Sequence, residues 1–226
     1  MTVRVINMEW LETVPPVTRG LLVVSIAAPI LLNFNILSYG SWEWSWRLLK
    51  RGHMLRLITP FFVKALNFNL MFSVFMRYQY SRLLEDSQFS GDAAAYTFML
   101  LQTSIVTAMI NEIGFGGANV YWWDALSLAI IYVWSKYNPE QQVSFYFGIK
   151  LKAKFLPFIL AAMEFMFTAG NLQGVIGIFS GHVYYFGCED LQLTYMKTPP
   201  VLLKSLFAQG KSLHIRATRK GRRLNS

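Results

Sequence analysis

Lys64, Glu164 and His182 are the residues of this chain best placed to do chemistry where chemistry is costly. Each is an ionisable group in or beside an otherwise apolar run, and such a group is a candidate for function because exposing it to hydrocarbon costs several kcal/mol. A lysine and a glutamate at membrane depth can pair with each other or with a histidine, or they can line a wet cavity; the residues alone leave these alternatives open. The single cysteine, Cys188, excludes an intrachain disulfide and a Cys/His metal cluster. With no nucleotide-binding motif either, no metal and no cofactor are expected.

Membrane helices must position these groups. The 226 residues are 54% hydrophobic and 16% aromatic but only 15% charged, less charge than soluble domains carry. The start, MTVRVINMEWLETVPPVTRG, has no apolar core followed by a cleavage site, so no signal peptide is expected and the first span serves as the insertion signal. Six spans are expected: 20–37, 61–78, 93–110, 122–134, a split fifth, and 170–186. The second contains Lys64, Asn67 and Asn69 and should turn that side to protein or water. The fourth is short for a bilayer core of about 30 Å. The fifth is apolar over 143–149, is interrupted by Lys150, Lys152 and Lys154, and resumes over 155–169 with Glu164 inside. In the sixth, glycines at 170, 174, 177 and 181 are spaced four, three and four apart, which places them on one helical face. Because glycine costs about 1 kcal/mol in a soluble helix, such a stripe, above all Gly174, Gly177 and Gly181, implies close helix packing in a membrane.

Lysine and arginine mark the cytosolic side. With the N-terminus inside, cytosolic segments hold Arg4 and Arg19, Arg77 and Arg82, Lys136 with Lys150, Lys152 and Lys154, and a basic tail from Lys197 onward, while the third and fifth loops hold none. The exception is the first loop, with Arg47, Lys50, Arg51 and Arg56 among Trp42, Trp44 and Trp46; that mixture suits a segment lying in the headgroup zone. The expectation is an all-α membrane protein of six transmembrane helices with both termini cytosolic. Residues 1–196 form the membrane domain and 197–226 a disordered tail. That tail carries much of the formal charge of +9 and should touch anionic lipid. It lacks the folded module or interleaved aromatics of a nucleic-acid binder, so no nucleic acid is expected as a partner.

Read outward from Ser180-Gly181-His182-Val183-Tyr184-Tyr185-Phe186, the chain resembles the Derlin family, proteolytically inactive relatives of the rhomboid intramembrane proteases. Pro15-Pro16-Val17-Thr18-Arg19, Leu55-Arg56-Leu57-Ile58-Thr59 with Phe61-Phe62, the run from Tyr78 to Glu85, Tyr132-Val133-Trp134-Ser135-Lys136 with Asn138-Pro139, Leu156-Pro157, and Lys197-Thr198-Pro199 with Leu206-Phe207 match the family in order and spacing. Leu55 stands where the family usually has tryptophan, while the following arginine, Arg56, is kept; the resemblance gives Arg56 the task of anchoring the first loop at the interface.

The resemblance implies a rhomboid-like fold and raises proteolysis. Rhomboid proteases pair a serine in Gly-x-Ser-Gly with a histidine on the sixth span, because a serine hydroxyl is a weak nucleophile without a base in reach. Here Ser127 lacks both glycines and Gly174 stands in the histidine position, while His182, eight residues on, is turned about 80° around the helix. No enzyme activity is therefore expected. The resemblance further implies residence in the endoplasmic reticulum membrane, a part in returning misfolded clients to the cytosol for degradation, and as partners a membrane ubiquitin ligase complex and a cytosolic AAA ATPase. The tail has no convincing copy of the family's ATPase-recruiting motif, so that link is expected to be indirect. The competing readings are an active rhomboid-type protease, weakened by the missing dyad, and a small-molecule transporter, weakened by the lack of an internal repeat or paired broken helices.

Overall fold

The computed structural model describes residues 13–117, 121–144, 150–168 and 170–208. Arg4 and the basic cluster from Lys211 to Arg223 lie outside the described residues, as do residues 145–149 of the expected split span. The fold is mostly helical. Its main elements are α1 (Pro16–Asn33), α2 (Phe68–Leu83), α3 (Ala93–Phe115), α4 (Trp123–Tyr137), α5 (Leu156–Phe167) and α6 (Gln173–Tyr185). Of these, α1 and α3 are long and apolar enough to cross a membrane.

Local chemistry sets the helix ends. Pro15 and Pro16 have no N–H to satisfy at the start of α1, and Pro16 brings a φ already suited to a first turn. The next donors, Val17 and Thr18 N–H, reach across to the buried carboxylate of Glu85 at 3.1 and 2.7 Å, and the Thr18 hydroxyl adds a third bond at 2.8 Å. An acid from the end of α2 thus caps α1, where the helix dipole favours negative charge. The Thr18 hydroxyl also meets Ser81 at 2.8 Å, and Ser81 meets Tyr96 at 2.7 Å, so α1, α2 and α3 are tied at one end. Asn67 caps α2 by accepting from Leu70 N–H at 3.0 Å, and Asp92 caps α3 by accepting from Ala94 and Ala95.

α4 is the axis of the molecule. Its residues from Ala125 to Ser135 are all buried, which a helix apolar all round requires. α6, α2, α5 and α3 surround it. The α4–α6 seam is the closest approach: a Cβ built on Gly177 would fall against the Ala125 backbone, with Ala125 C and Cα at 2.8 Å, and one on Gly181 would meet Ala129 O at 3.0 Å. Ala125 and Ala129 are therefore the small-residue partners of Gly177 and Gly181, at the matching spacing of four.

Several expectations are corrected. Lys64 is not inside the second span: residues Thr59–Phe62 form a 3-10 turn, and α2 begins only at Phe68, after the Asn67 cap. Arg77 is not a cytosolic loop charge but a fully buried residue of α2. The lysines of the split fifth span do not interrupt a helix. Lys150–Lys152 pairs antiparallel with Gln142–Ser144 in a two-stranded sheet, stapled by Lys152 and Lys154 to Glu140 at 2.6 and 2.8 Å, which hold that exposed carboxyl down at about 2. Gly170 leaves the glycine stripe: α6 starts at Gln173, and Gly170 has φ +90°, a left-handed conformation that side chains disfavour. Beyond α6 come a wide turn over Phe186–Asp190, a short helix over Thr194–Lys197 and helical residues 201–208.

Candidate functional site

A polar wedge lies between α2, α4 and α5, built around Asp124 in the first turn of α4. Lys64, on the stretch leading into α2, makes an ion pair with Asp124. Glu164 of α5 stands close enough to feel both charges, so one lysine faces two carboxylates. Glu164 Oε1 is buried without a hydrogen-bond partner. Together with Asn69 and Ser73, the three residues line a cavity of about 80 Å³ floored by Met76 and Leu128, with room for a few water molecules among polar partners. Of the pairings that the sequence left open, Lys64 with Glu164 and Glu164 with His182, the structure makes neither direct: Asp124 takes the lysine. His182 is occupied elsewhere, with Nδ1 2.8 Å from the Tyr132 hydroxyl and its ring beside Phe186.

Behind the wedge, Arg77 fixes four elements at once. Its guanidinium donates to Ser127 Oγ at 2.9 Å, Ser25 Oγ and Phe61 O at 3.1 Å each, and Trp123 O at 2.6 Å, and it lies 3.8 Å from the Trp123 ring. All but one of its donors are used. A planar, rigid fork that also stacks on an indole is a task for arginine and not for lysine. Sequence reasoning missed this residue because Arg77 sits near the end of an apolar run, where an arginine reads as a flanking charge. The signals for the wedge were Asp124, a charge inside the expected fourth span, and the 60–67 stretch, which ends on a helix cap.

The positions expected to carry a protease dyad are both occupied. Ser127 Oγ accepts from Arg77 and donates to Trp123 O at 3.1 Å. At Gly174, any side chain would run into Glu164 Oε2 and Leu128, so the carboxylate of α5 fills the space beside the missing histidine. Gly174 therefore contacts a side chain, whereas Gly177 and Gly181 contact backbone.

The first-loop pair separates in role. Arg56 donates from Nη1 to Glu43 O and from Nη2 to Gly40 O, both at 2.9 Å; it braces the loop by holding two carbonyls. Leu55 is 75% exposed. Trp44 is buried against Trp122, with ring centroids 4.7 Å apart, and donates to Glu112 at 2.8 Å, which ties the loop to the end of α3.

Residues 14–200 match the Der1-like family. The chain belongs to that family. It is 35% identical to Derlin-1 of Drosophila melanogaster over 87% of this chain and 82% of that protein. It is 28% identical to Derlin-2.2 of Arabidopsis thaliana over 88% and 87%, and 30% identical to Derlin-2.1 of Zea mays over 88% and 86%. A Der1-like chain is a membrane protein.

Proposed function

We propose that this Der1-like protein is a proteolytically inactive, rhomboid-like component of the endoplasmic reticulum membrane that helps misfolded proteins return to the cytosol for degradation. Its six main helices would be the spans, with both termini cytosolic. The observation that carries this reading is the length of the helices around the wedge. α4 and α5 have 15 and 12 residues, about 22 and 18 Å of α-helix, and α6 has 13, about 20 Å, before a five-residue π turn extends it, against about 30 Å of hydrocarbon. A bilayer meeting that edge must thin or admit water. Thinning shortens the path over which a client's polar backbone lacks hydrogen-bond partners, and the Lys64–Asp124–Glu164 wedge supplies polar groups along it. The pulling energy would come from a cytosolic AAA ATPase recruited through partner proteins, with a membrane ubiquitin ligase complex marking the client. The reading of inactivity is supported by Ser127, whose hydroxyl bonds Arg77 and the Trp123 carbonyl, and by Gly174 backed by Glu164, an arrangement in which, among the described residues, no base is hydrogen-bonded to the hydroxyl.

A pulse-chase of a misfolded luminal client in cells lacking this protein tests the role: degradation should slow and return with wild-type protein and with Ser127→Ala alike. Normal degradation in its absence overturns the role, and failure of Ser127→Ala with proper insertion overturns the inactivity. Glycosylation acceptors inserted within 112–121 should be modified and one near Lys204 should not; the reverse overturns the topology.

A further inference from the structure

On the side of the molecule away from the wedge, α1 and α3 do not close on each other. A groove of about 450 Å³ runs between them, lined by Leu21 and Val24 of α1, Leu100 and Leu101 of α3, and Trp42 and Phe61 of the first loop. Its walls are hydrocarbon almost throughout, and its size is in the range of small-molecule sites, roughly 300–1,000 Å³. The groove follows α1 from Pro16 to Val24 and α3 from Thr97 to Ser104, about 10–12 Å along either helix. These two helices are the ones long and apolar enough to cross a membrane, so the groove opens sideways onto hydrocarbon. Apart from the hydroxyls of Thr59, Thr97 and Ser104 the walls offer water nothing to bond, so an apolar occupant suits the groove better than water does.

We propose that this groove is a binding site for one phospholipid, with an acyl chain along the groove and the headgroup at the Phe207 end. It rests on the chain residing in a bilayer and not on any role in degradation. Three observations favour a phospholipid. Gly20 lines the groove, and a Cβ built there meets nothing within 4 Å, so the space is continuous with the helix backbone. The Thr97 hydroxyl is buried without a partner. It sits at the end where Thr18, Ser81 and Tyr96 tie α1 to α3, at the depth where an ester carbonyl could accept from it. Phe207 borders the groove from the helical residues 201–208, and Lys204, exposed and one turn away, offers a cation to a phosphate. A sterol matches the hydrocarbon walls but brings no phosphate to Lys204. The other unpartnered hydroxyl, Thr59 Oγ1, lines the groove from the first loop, as do Ile58 and Trp42. A lipid here would brace the Thr59–Phe62 turn, whose Phe61 carbonyl accepts from Arg77.

The test is mass spectrometry of lipids that survive extensive detergent exchange of the full-length protein, beside photocrosslinking with a phosphatidylcholine carrying a diazirine in its acyl chain. Wild type should retain about one phospholipid per chain, and crosslinks should map to 16–24 and 97–104. Gly20→Phe, whose Cβ meets nothing within 4 Å, puts a ring into the groove and should reduce retention about tenfold, the change that about 1.4 kcal/mol of affinity produces. Val23→Phe, an exposed position of α1 outside the groove, should retain it. Thr97→Val should lower retention and Thr59→Val should not. Wild type without retained phospholipid, retention of a sterol instead, equal retention in Gly20→Phe, or crosslinks confined to α5 would each overturn the proposal. So would Thr59→Val lowering retention while Thr97→Val does not, since the headgroup would then sit at the first loop.

Discussion

Gly177 and Gly20 both lie in helices that pack beside others, yet they mark opposite conditions. At Gly177 the α6 backbone touches the α4 backbone, and a methyl group has nowhere to go; at Gly20 a methyl group would touch nothing within 4 Å. One half of the molecule, α4 and α6 with α2, is held by contact and by buried hydrogen bonds. The other, the α1–α3 face, is joined tightly at one end and open along its length. The same residue type thus serves close approach in one place and leaves space in another, and spacing within a sequence distinguishes the two only when the facing helix is also read.

Substitutions across this divide should fall into order. Gly177→Val with Gly181→Val should be the most damaging: overpacking against a side chain costs about 1–3 kcal/mol, and here the obstacle is backbone, so loss of the folded protein in detergent is expected, read as thermal unfolding and as client half-life. Retained stability would show that the seam can open. Arg77→Leu should come next, at several kcal/mol, since each buried acceptor it leaves unsatisfied costs about 1–3 kcal/mol, with Arg77→Lys rescuing little because an ammonium cannot make the fork; a shift in unfolding midpoint no larger than that of exposed Arg82→Ala would remove Arg77 from the packed half. Gly174→Ala should cost less, and a double-mutant cycle with Glu164→Ala should recover part of the loss, since the carboxylate is one of the two groups in the way. Additive losses would mean that Leu128 alone sets the limit. Arg56→Ala should leave insertion and abundance intact while slowing degradation of a luminal client, by freeing the carbonyls of Gly40 and Glu43; if Arg47→Ala does this and Arg56→Ala does not, the brace is misassigned. Smallest of all, Gly20→Ala should be neutral or stabilising by about 0.5–1 kcal/mol, and clear destabilisation would mean that the open half is closed.

The packed half was the more legible in sequence. The spacing of Gly177 and Gly181 announced the seam, and Ala125 and Ala129 carried the matching signal unread in the next helix but one. The start of the third helix was visible to the residue, at Ala93, which follows the Asp92 cap, but its end was placed at 110 and lies at Phe115, because Asn111 and Glu112 end the apolar run without ending the helix. The wedge was half legible: Lys64 and Glu164 stood out as charges in apolar runs, but their partner Asp124 looked like a residue at a span's edge, and Arg77 looked like the next loop. Both errors have one cause. Hydropathy sees where a run ends but not whether the chain around it is buried, and a charge with its hydrogen bonds filled can lie inside that limit. The 143–149 run looked like half a span because the strands Gln142–Ser144 and Lys150–Lys152, three residues each, are too short to show a period that separates them from a broken helix. The α1–α3 groove left no mark at all, since an absence of packing is a property of two surfaces together.

The Glu85 cap gives the chain a schedule. The first turn of α1 takes its acceptor from a residue 67 to 68 positions downstream, so when α1 leaves the ribosome its leading donors have no protein partner. At about 5–20 residues per second of synthesis, roughly 3–14 seconds pass before Glu85 is made. During that interval water or lipid headgroups must serve those donors, and the first turn of α1 gains its protein cap only when Glu85 arrives. Slowing translation between these two segments would lengthen the time for which the first helix is exposed to the machinery that inserts it or removes it.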